Sequence, residues 1–188
     1  MVKWLSLLIM NKKGLLLLLE TWDTVAMLKS DSDGNTAYLP DLMDIALTGN
    51  DRLSWRAAWV AEKINERQPG ILSPWIGQVT GALHHLNHSG KKRQFLKLIS
   101  LYPIAQEHRA FLVDYCLETL DKRTDPPGVK AHAMQIMYNI SQDEPGLKEE
   151  LLQIMEYVIE LEESAGITAR ARRIAGQLAR EIRTLHRR

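Results

Sequence analysis

Cysteine is almost absent from this sequence, and the absence limits the chemistry that the chain offers. Cys116 is the single cysteine among 188 residues, which excludes an intramolecular disulfide and a zinc site built on several thiolates. A reducing, cytoplasmic location is therefore expected. The chain also has no Walker loop, no G-x-G-x-x-G fingerprint and no G-x-S-x-G elbow. We predict no cofactor.

Long hydrophobic runs are missing as well. The apolar stretches "MVKWLSLLIM" and "GLLLLLETW" are separated by residues 11–13, and neither approaches the roughly 20 apolar residues that cross a bilayer. No small-residue cleavage site follows the second stretch, so a signal peptide is not expected, and we predict no membrane partner. A start at Met10 would leave residues 1–9 outside the native chain.

Metal-ligating and catalytic patterns are scarce. His84 and His88 stand four residues apart, the spacing of two ligands on one helix, but no third ligand accompanies them. Cys116 lies on the apolar side of a predicted helix and is expected in the core. No carboxylate is singled out by its neighbours. We therefore assign no metal site and no catalytic residue, and leave open whether the chain is an enzyme.

What the sequence does contain is a repeat of small and apolar residues at a step of 38. Each unit carries three such positions, spaced three and four residues apart, as on one face of a helix. Together they form three series: Ala57, Phe95, Ala133 and Ala171; Val60, Leu98, Ile136 and Ile174; and Ile64, Tyr102, Ile140 and Leu178. All twelve positions are predicted to face the core.

The helix that carries these series is the second helix of each unit, and another amphipathic helix, the first helix, precedes it. Its apolar series are Trp75, Val113 and Leu151; Val79, Leu117 and Met155; and Ala82, Leu120 and Val158. Gly90, Gly128 and Gly166 recur between the two helices, where a left-handed or strained turn is expected. We predict helices near 13–29, 40–48, 51–66, 72–87, 91–102, 106–121, 127–141, 146–163 and 167–186, and no strand.

Tandem two-helix units of this length are typical of HEAT and armadillo repeats. With its "A-x-x-V-x-x-x-I" second-helix pattern and recurring glycine, the chain resembles a HEAT-like repeat protein over residues 40–186. The resemblance implies an all-α fold, a right-handed α-α superhelix. We divide the chain into a cap and polar loop, residues 1–39, and a repeat domain, residues 40–188. An irregular helical bundle is the alternative.

In HEAT-like proteins the second helices line the concave face, and the resemblance implies the same here. Polar positions between the apolar series should then face solvent, so we predict these binding residues: Arg56, Trp59, His132, Gln135, Arg170 and Arg173. Trp59 is either a recognition anchor on this face or part of the core beneath helix 13–29.

Positive charge is concentrated at the C-terminus. Residues 164–188 contain seven arginines and one acidic residue, whereas the rest of the chain is net acidic. The basic helix either is a solvated cap over the chain's own acidic repeats, or binds an acidic protein or phosphates. Nucleic acid is therefore the second partner that these C-terminal arginines allow. Arg187 and Arg188 lie beyond its last apolar position and are expected to fray.

We predict a non-enzymatic module that binds a protein or peptide on the concave second-helix face. The alternative is a nucleic-acid-binding protein, which the resemblance extends to HEAT-like DNA glycosylases. That resemblance implies a catalytic Asp, and no residue of this sequence matches it.

Overall fold

The computed structural model describes residues 12–21, 23, 36–49, 51–86, 88–161 and 164–186. Within these ranges the chain is helical and forms no strand, as the sequence predicts. The helices are α1 (Lys12–Leu18), α2 (Leu39–Thr48), α3 (Arg52–Arg67), α4 (Ile76–Ala82), α5 (Ser89–Ser100), α6 (Gln106–Asp121), α7 (Pro127–Asp143), α8 (Lys148–Leu161) and α9 (Ala165–Leu185). Each helix in these ranges is too short or too polar to cross a membrane.

Helix starts follow local chemistry. Asp51 caps α3, because its Oδ1 accepts a hydrogen bond from the Ser54 amide at 2.8 Å and satisfies a donor that the helix leaves unpaired. Pro40 lies in the first turn of α2 and Pro127 begins α7, where a residue without an amide hydrogen loses no intrahelical bond. The predicted bounds of α6, residues 106–121, are those observed.

The helix predicted over 72–87 is broken into three pieces. A 3₁₀ turn at Ser73–Trp75 leads into α4, and a second at Leu83–His85 follows it. Gly77 and Gly81 account for the short α4, since each glycine weakens a helix by about 1 kcal/mol relative to alanine. Leu86 is extended, with ψ 117°, so the pair His84 and His88 does not share a helix.

The N-terminal helix is also shorter than predicted. It ends at Leu18 rather than near residue 29, although Leu19 beyond it is fully buried. Two residues predicted for its apolar stripe, Trp22 and Ala26, lie outside the described residues.

The chain divides into two compact units, residues 1–98 and 99–188. In the N-terminal unit α2 packs against α3 and contacts α1. In the C-terminal unit α6 pairs with α7, α8 pairs with α9, and α9 also packs along α7. The boundary predicted between residues 39 and 40 remains a prediction.

The second-helix series form the core of both units. All twelve of the repeated positions are buried, from Ala57 at the start of the first series to Leu178 at the end of the last. The first-helix series are less complete, because five of their nine positions keep part of their surface exposed: Trp75, Ala82, Val113, Leu117 and Leu120. Cys116 is fully buried, as predicted.

The recurring glycines have a different role from the one expected. Gly90, Gly128 and Gly166 lie in the first turns of α5, α7 and α9, and the described residue with positive φ is instead Gly70, at 92°. Gly90 is needed because a larger residue would not fit there. A Cβ there would lie 2.8 Å from Nε1 of Trp55, too close for the ring to stay in place.

Candidate binding surface

Arg56 is a structural residue, and the prediction that it faces solvent is wrong. Its side chain is 5% exposed, and its guanidinium donates hydrogen bonds to the backbone oxygens of Leu19, at 2.7 Å, and Glu20. These carbonyls follow the end of α1, where oxygens lack intrahelical donors. Arg56 therefore holds the N-terminal segment against α3 and is not available to a partner.

Trp59 lies on α3 one turn after Arg56 and is partly exposed. The ammonium of Lys63 lies 5.9 Å from the centroid of the indole ring, close enough for a cation–π contact. The alternative prediction for Trp59 is packing beneath a helix over residues 13–29. In that region the structure describes only residues 12–21 and 23, so this alternative stays a prediction.

The charged groups beside Trp59 neutralise one another. Lys63 binds Glu66 at 2.8 Å, and Lys97 of α5 binds Glu66 at 2.8 Å and also pairs with the buried carboxylate of Glu62. Hydrogen bonds from Lys63 and then Lys97 lower the pKa of Glu66 to about 2. Two lysines and two glutamates thus form a closed network between neighbouring second helices, which leaves little net charge here for a partner.

The C-terminal unit offers a different surface, which begins on α7. His132 and Gln135 are partly exposed there. The amide of Gln135 donates to Oδ1 of Asn139 at 2.8 Å, and Asn139 in turn donates to the backbone oxygen of Ser100 at 2.8 Å. This hydrogen-bonded row fixes the polar side chains of α7 in place.

The neighbouring part of α9 carries Arg170 and Arg173. Arg173 is exposed and Arg170 is partly buried. Burial first, and then the positive charge of Arg173, lowers the pKa of Arg170. Among the described residues, neither arginine forms an ion pair. Two like charges, one of them partly desolvated, thus lie together, and no carboxylate of the described residues forms an ion pair with either, an arrangement that an acidic group would relieve.

Glu181 fixes α9 against its neighbours. Its carboxylate accepts hydrogen bonds from Tyr138 at 2.6 Å, from Gln142 at 3.1 Å and from Lys148. Ile174 and Leu178 are fully buried on the same helix. The predicted docking of α9 against the preceding helices is therefore observed, and Arg170 and Arg173 are held on a docked helix.

Three more described arginines lie on α9: Arg172, Arg180 and Arg183. Arg180 follows Arg173 by seven residues and so lies on the same side of the helix, whereas the other two lie elsewhere. Arg172 and Arg183 are exposed. Viewed down the helix axis, each lies about 100° or more from Arg170 and from Gln177, which follows Arg170 by two turns. Neither forms an ion pair within the described part of the chain. They have the charge of Arg170 and Arg173 without their position beside α7, which makes them matched controls. Arg187 and Arg188 lie outside the described residues.

No three His, Cys, Asp or Glu residues come together to hold a metal ion within the described ranges. His84 is exposed in the middle of the 3₁₀ turn Leu83–His85, while the ring of His88 stacks on Trp55 with the centroids 5.4 Å apart. The Nδ1 of His88 also accepts a hydrogen bond from the backbone amide of Lys91.

Comparison with protein families decides the classification. A family model described as a HEAT repeat domain matches residues 19–178, most of the chain and nearly all the described helices. The chain belongs to the HEAT repeat family. No curated protein and no solved structure matches it.

HEAT repeats are generally scaffolds for interactions between proteins. The matched range includes α7 and the part of α9 that carries Arg170 and Arg173. His132 and Gln135 lie on the second helix of one repeat, and Arg170 and Arg173 lie at the same two positions on the second helix of the next repeat.

Proposed function

We propose that this HEAT repeat protein is a non-enzymatic module whose α7–α9 surface binds an acidic segment of a protein or peptide. Arg170 and Arg173 supply the charge, and His132 and Gln135 supply flanking polar contacts. The observation that carries the proposal is the pair of arginines without a described ion pair on a docked helix. Carboxylates suit them, because arginine binds these groups through charge and paired hydrogen bonds.

The contrast between the two units supports this placement. Lys63 and Lys97 already hold carboxylates, so a partner there would have to replace existing ion pairs. Arg170 and Arg173 require no such exchange. Trp59 stays a predicted contact in the N-terminal unit, and Arg56 is no longer a candidate because its hydrogen bonds lie within the fold.

Binding of polyglutamate tests the charge contribution directly. The double variant Arg170→Ala/Arg173→Ala should weaken binding by at least about tenfold, since a hydrogen bond to a charged group is worth about 1.5–3 kcal/mol and both arginines are lost. It should also flatten the dependence of affinity on salt. The control, Arg172→Ala/Arg183→Ala, removes equal charge from the same helix and should change affinity by less than about threefold.

Equal losses in the two double variants would show that α9 attracts anions by net charge alone, and would contradict the proposed surface. Duplex DNA serves as the second ligand, because arginines also bind phosphates. DNA binding stronger than polyglutamate binding, and lost in the Arg170/Arg173 variant, would move the assignment to nucleic acid.

A further inference from the structure

One side of the paired helices α8 and α9 points away from the other helices of the C-terminal unit. On α9, Glu181 marks the side that contacts α7, because its carboxylate accepts a hydrogen bond from Tyr138 of that helix. Viewed down the helix axis, Arg172, Ala179 and Arg183 lie about 160–180° from Glu181, so they are directed away from α7. Arg172 and Arg183 are exposed, and Ala179 is partly exposed.

The same construction is found on α8. Ile154 and Leu161 face α6, since they line a pocket together with side chains of that helix. Leu152, Glu156 and Ile159 lie about 140–180° around α8 from those two residues, and are therefore directed away from α6. Glu156 is exposed, and the two large aliphatic side chains beside it keep part of their surface exposed as well.

We call this side of the two helices the outer face. It consists of Glu149, Leu152, Glu156 and Ile159 of α8, and of Ala175 and Ala179 with Arg172 and Arg183 of α9. Two carboxylates and two guanidinium groups thus surround a centre of aliphatic and small side chains. Glu149 contacts the imidazole of His186 at 3.1 Å, whereas Glu156 and the two arginines form no ion pair within the described residues.

The repeat shows what this face is suited to bind. At the step of 38 residues, Arg172 corresponds to Met134 on α7, and Ala175 corresponds to Met137. These methionines are 0% and 5% exposed, on a helix against which α9 packs as the next second helix. The outer face is therefore the stacking side of a repeat, and no other described helix of the C-terminal unit packs on it.

We infer that the outer face binds the outer face of a second copy of this chain, so that the two copies form a two-fold dimer. Three residues connect α8 to α9, and the two helices pair, so they run antiparallel. A two-fold axis perpendicular to the pair therefore lays α8 of one copy parallel to α9 of the other. This order brings Glu149 toward Arg172 of the second copy and Glu156 toward Arg183, with Leu152 between the two ion pairs.

Charge complementarity favours a second copy over a partner of one charge sign. A basic or an acidic partner would be attracted to one helix of the outer face and repelled by the other, whereas two-fold pairing sets each carboxylate against an arginine. The face is two helices wide, roughly 20 Å, so a small interface and a Kd in the micromolar range are expected. The dimer does not depend on the proposed acidic partner, because Arg170 lies about 160° around α9 from Arg172.

Sedimentation equilibrium of the full chain, over roughly 1–100 µM, tests the inference. The native chain should fit an equilibrium between monomer and dimer without larger species, because a two-fold interface is closed. Glu156→Arg and Arg183→Glu should each weaken dimerisation by at least about tenfold, since each sets like charges against one another at two symmetric contacts. Glu150→Arg is the control, at an exposed position about 120° around α8 from Glu156, and should leave dimerisation unchanged.

A mixture of the two variants separates a contact between copies from an effect within one chain. When Glu156→Arg and Arg183→Glu are mixed in equal amounts, the two introduced charges face each other, and the two native charges face each other at the second contact. The mixture should therefore dimerise about as tightly as the native chain. A monomeric native chain, no dimer in the mixture, an equal loss in Glu150→Arg, or growth beyond the dimer would each overturn the inference.

Discussion

The phenol of Tyr138 in α7 donates a hydrogen bond to Oε1 of Glu181 in α9, with 2.6 Å between the two oxygens. Burial, together with this bond, raises the pKa of Tyr138 to about 12. Burial acts to raise the pKa of Glu181 too, but the bonds from Lys148, Tyr138 and Gln142 outweigh it and lower that pKa. The pair thus joins successive second helices with both groups in their normal charge state at neutral pH.

Removing Glu181 should cost more stability than removing the tyrosine hydroxyl. Tyr138→Phe deletes one hydrogen bond, for a loss of about 1 kcal/mol, while Lys148 and Gln142 still satisfy the carboxylate. Glu181→Ala leaves the ammonium of Lys148, which is 5% exposed, without this carboxylate and should cost about 3 kcal/mol. Urea unfolding measures both. The control Glu160→Ala, at an exposed site, should cost under about 0.5 kcal/mol.

Glu66 should contribute stability that depends on pH. Its folded pKa of about 2 lies below its ordinary value of 4.5, so its contribution is full above pH 4.5 and declines as pH falls toward 2. The side chain of Glu66 is 42% exposed, so solvent screening limits the contribution to about 1 kcal/mol.

The measurement is the difference in unfolding free energy between the native chain and Glu66→Gln, from pH 7 down to the acid limit of folding. The difference should shrink below about pH 4.5. An unchanged difference across this range would contradict the ion-pair network of Lys63, Lys97 and Glu66. Glu160→Gln should show little difference at either end.

Gly90 and Gly166 occupy equivalent positions in the first turns of α5 and α9, yet substitution by alanine should have opposite effects on stability at the two sites. A Cβ at Gly90 lies 2.8 Å from Nε1 of Trp55 and 3.0 Å from Cε1 of His88, so Gly90→Ala should cost about 1–3 kcal/mol. At Gly166 the nearest atom is 4.0 Å away, and Gly166→Ala should be neutral or stabilise by up to about 1 kcal/mol. Thermal melting would contradict this account if both variants behaved alike.

Ala133 and Gln135 test which face of α7 is buried. Ala133 is fully buried, so Ala133→Leu should overpack the contact between helices and cost about 1–3 kcal/mol. Gln135→Ala loses one hydrogen bond within the helix, to Asn139, and should cost under about 0.5 kcal/mol. Similar losses in urea unfolding would show that the two faces are not as described.

The apolar repeat was predictable because close packing requires small or apolar residues at each contact between successive second helices. Ala57 and Ala133 are both fully buried for that reason. The break in the helix at 72–87 also has a local cause, since Gly77 and Gly81 are visible in the sequence. A stronger weighting of glycine would have predicted it.

Contacts between distant residues could not be predicted in the same way. Arg56 occupies a polar position of its helix, and only its bond to the carbonyl of Leu19, 37 residues earlier, explains its burial. The exposure of two large side chains on α8 was missed for a similar reason. Tyr157 and Leu161 lie on the amphipathic helix α8, and nothing in their spacing shows that they remain exposed.

Photo-cross-linking requires no identified partner and tests the central claim, that the α7–α9 surface binds an acidic protein segment. Benzoylphenylalanine is placed at Gln135 or Gln177 on this surface and, as a control, at the exposed Gln153 on α8. In an extract of the producing cells, positions 135 and 177 should cross-link to a peptide rich in Asp and Glu, and position 153 should not. Cross-links only from position 153, or nuclease-sensitive cross-links from 135 and 177, would contradict the account.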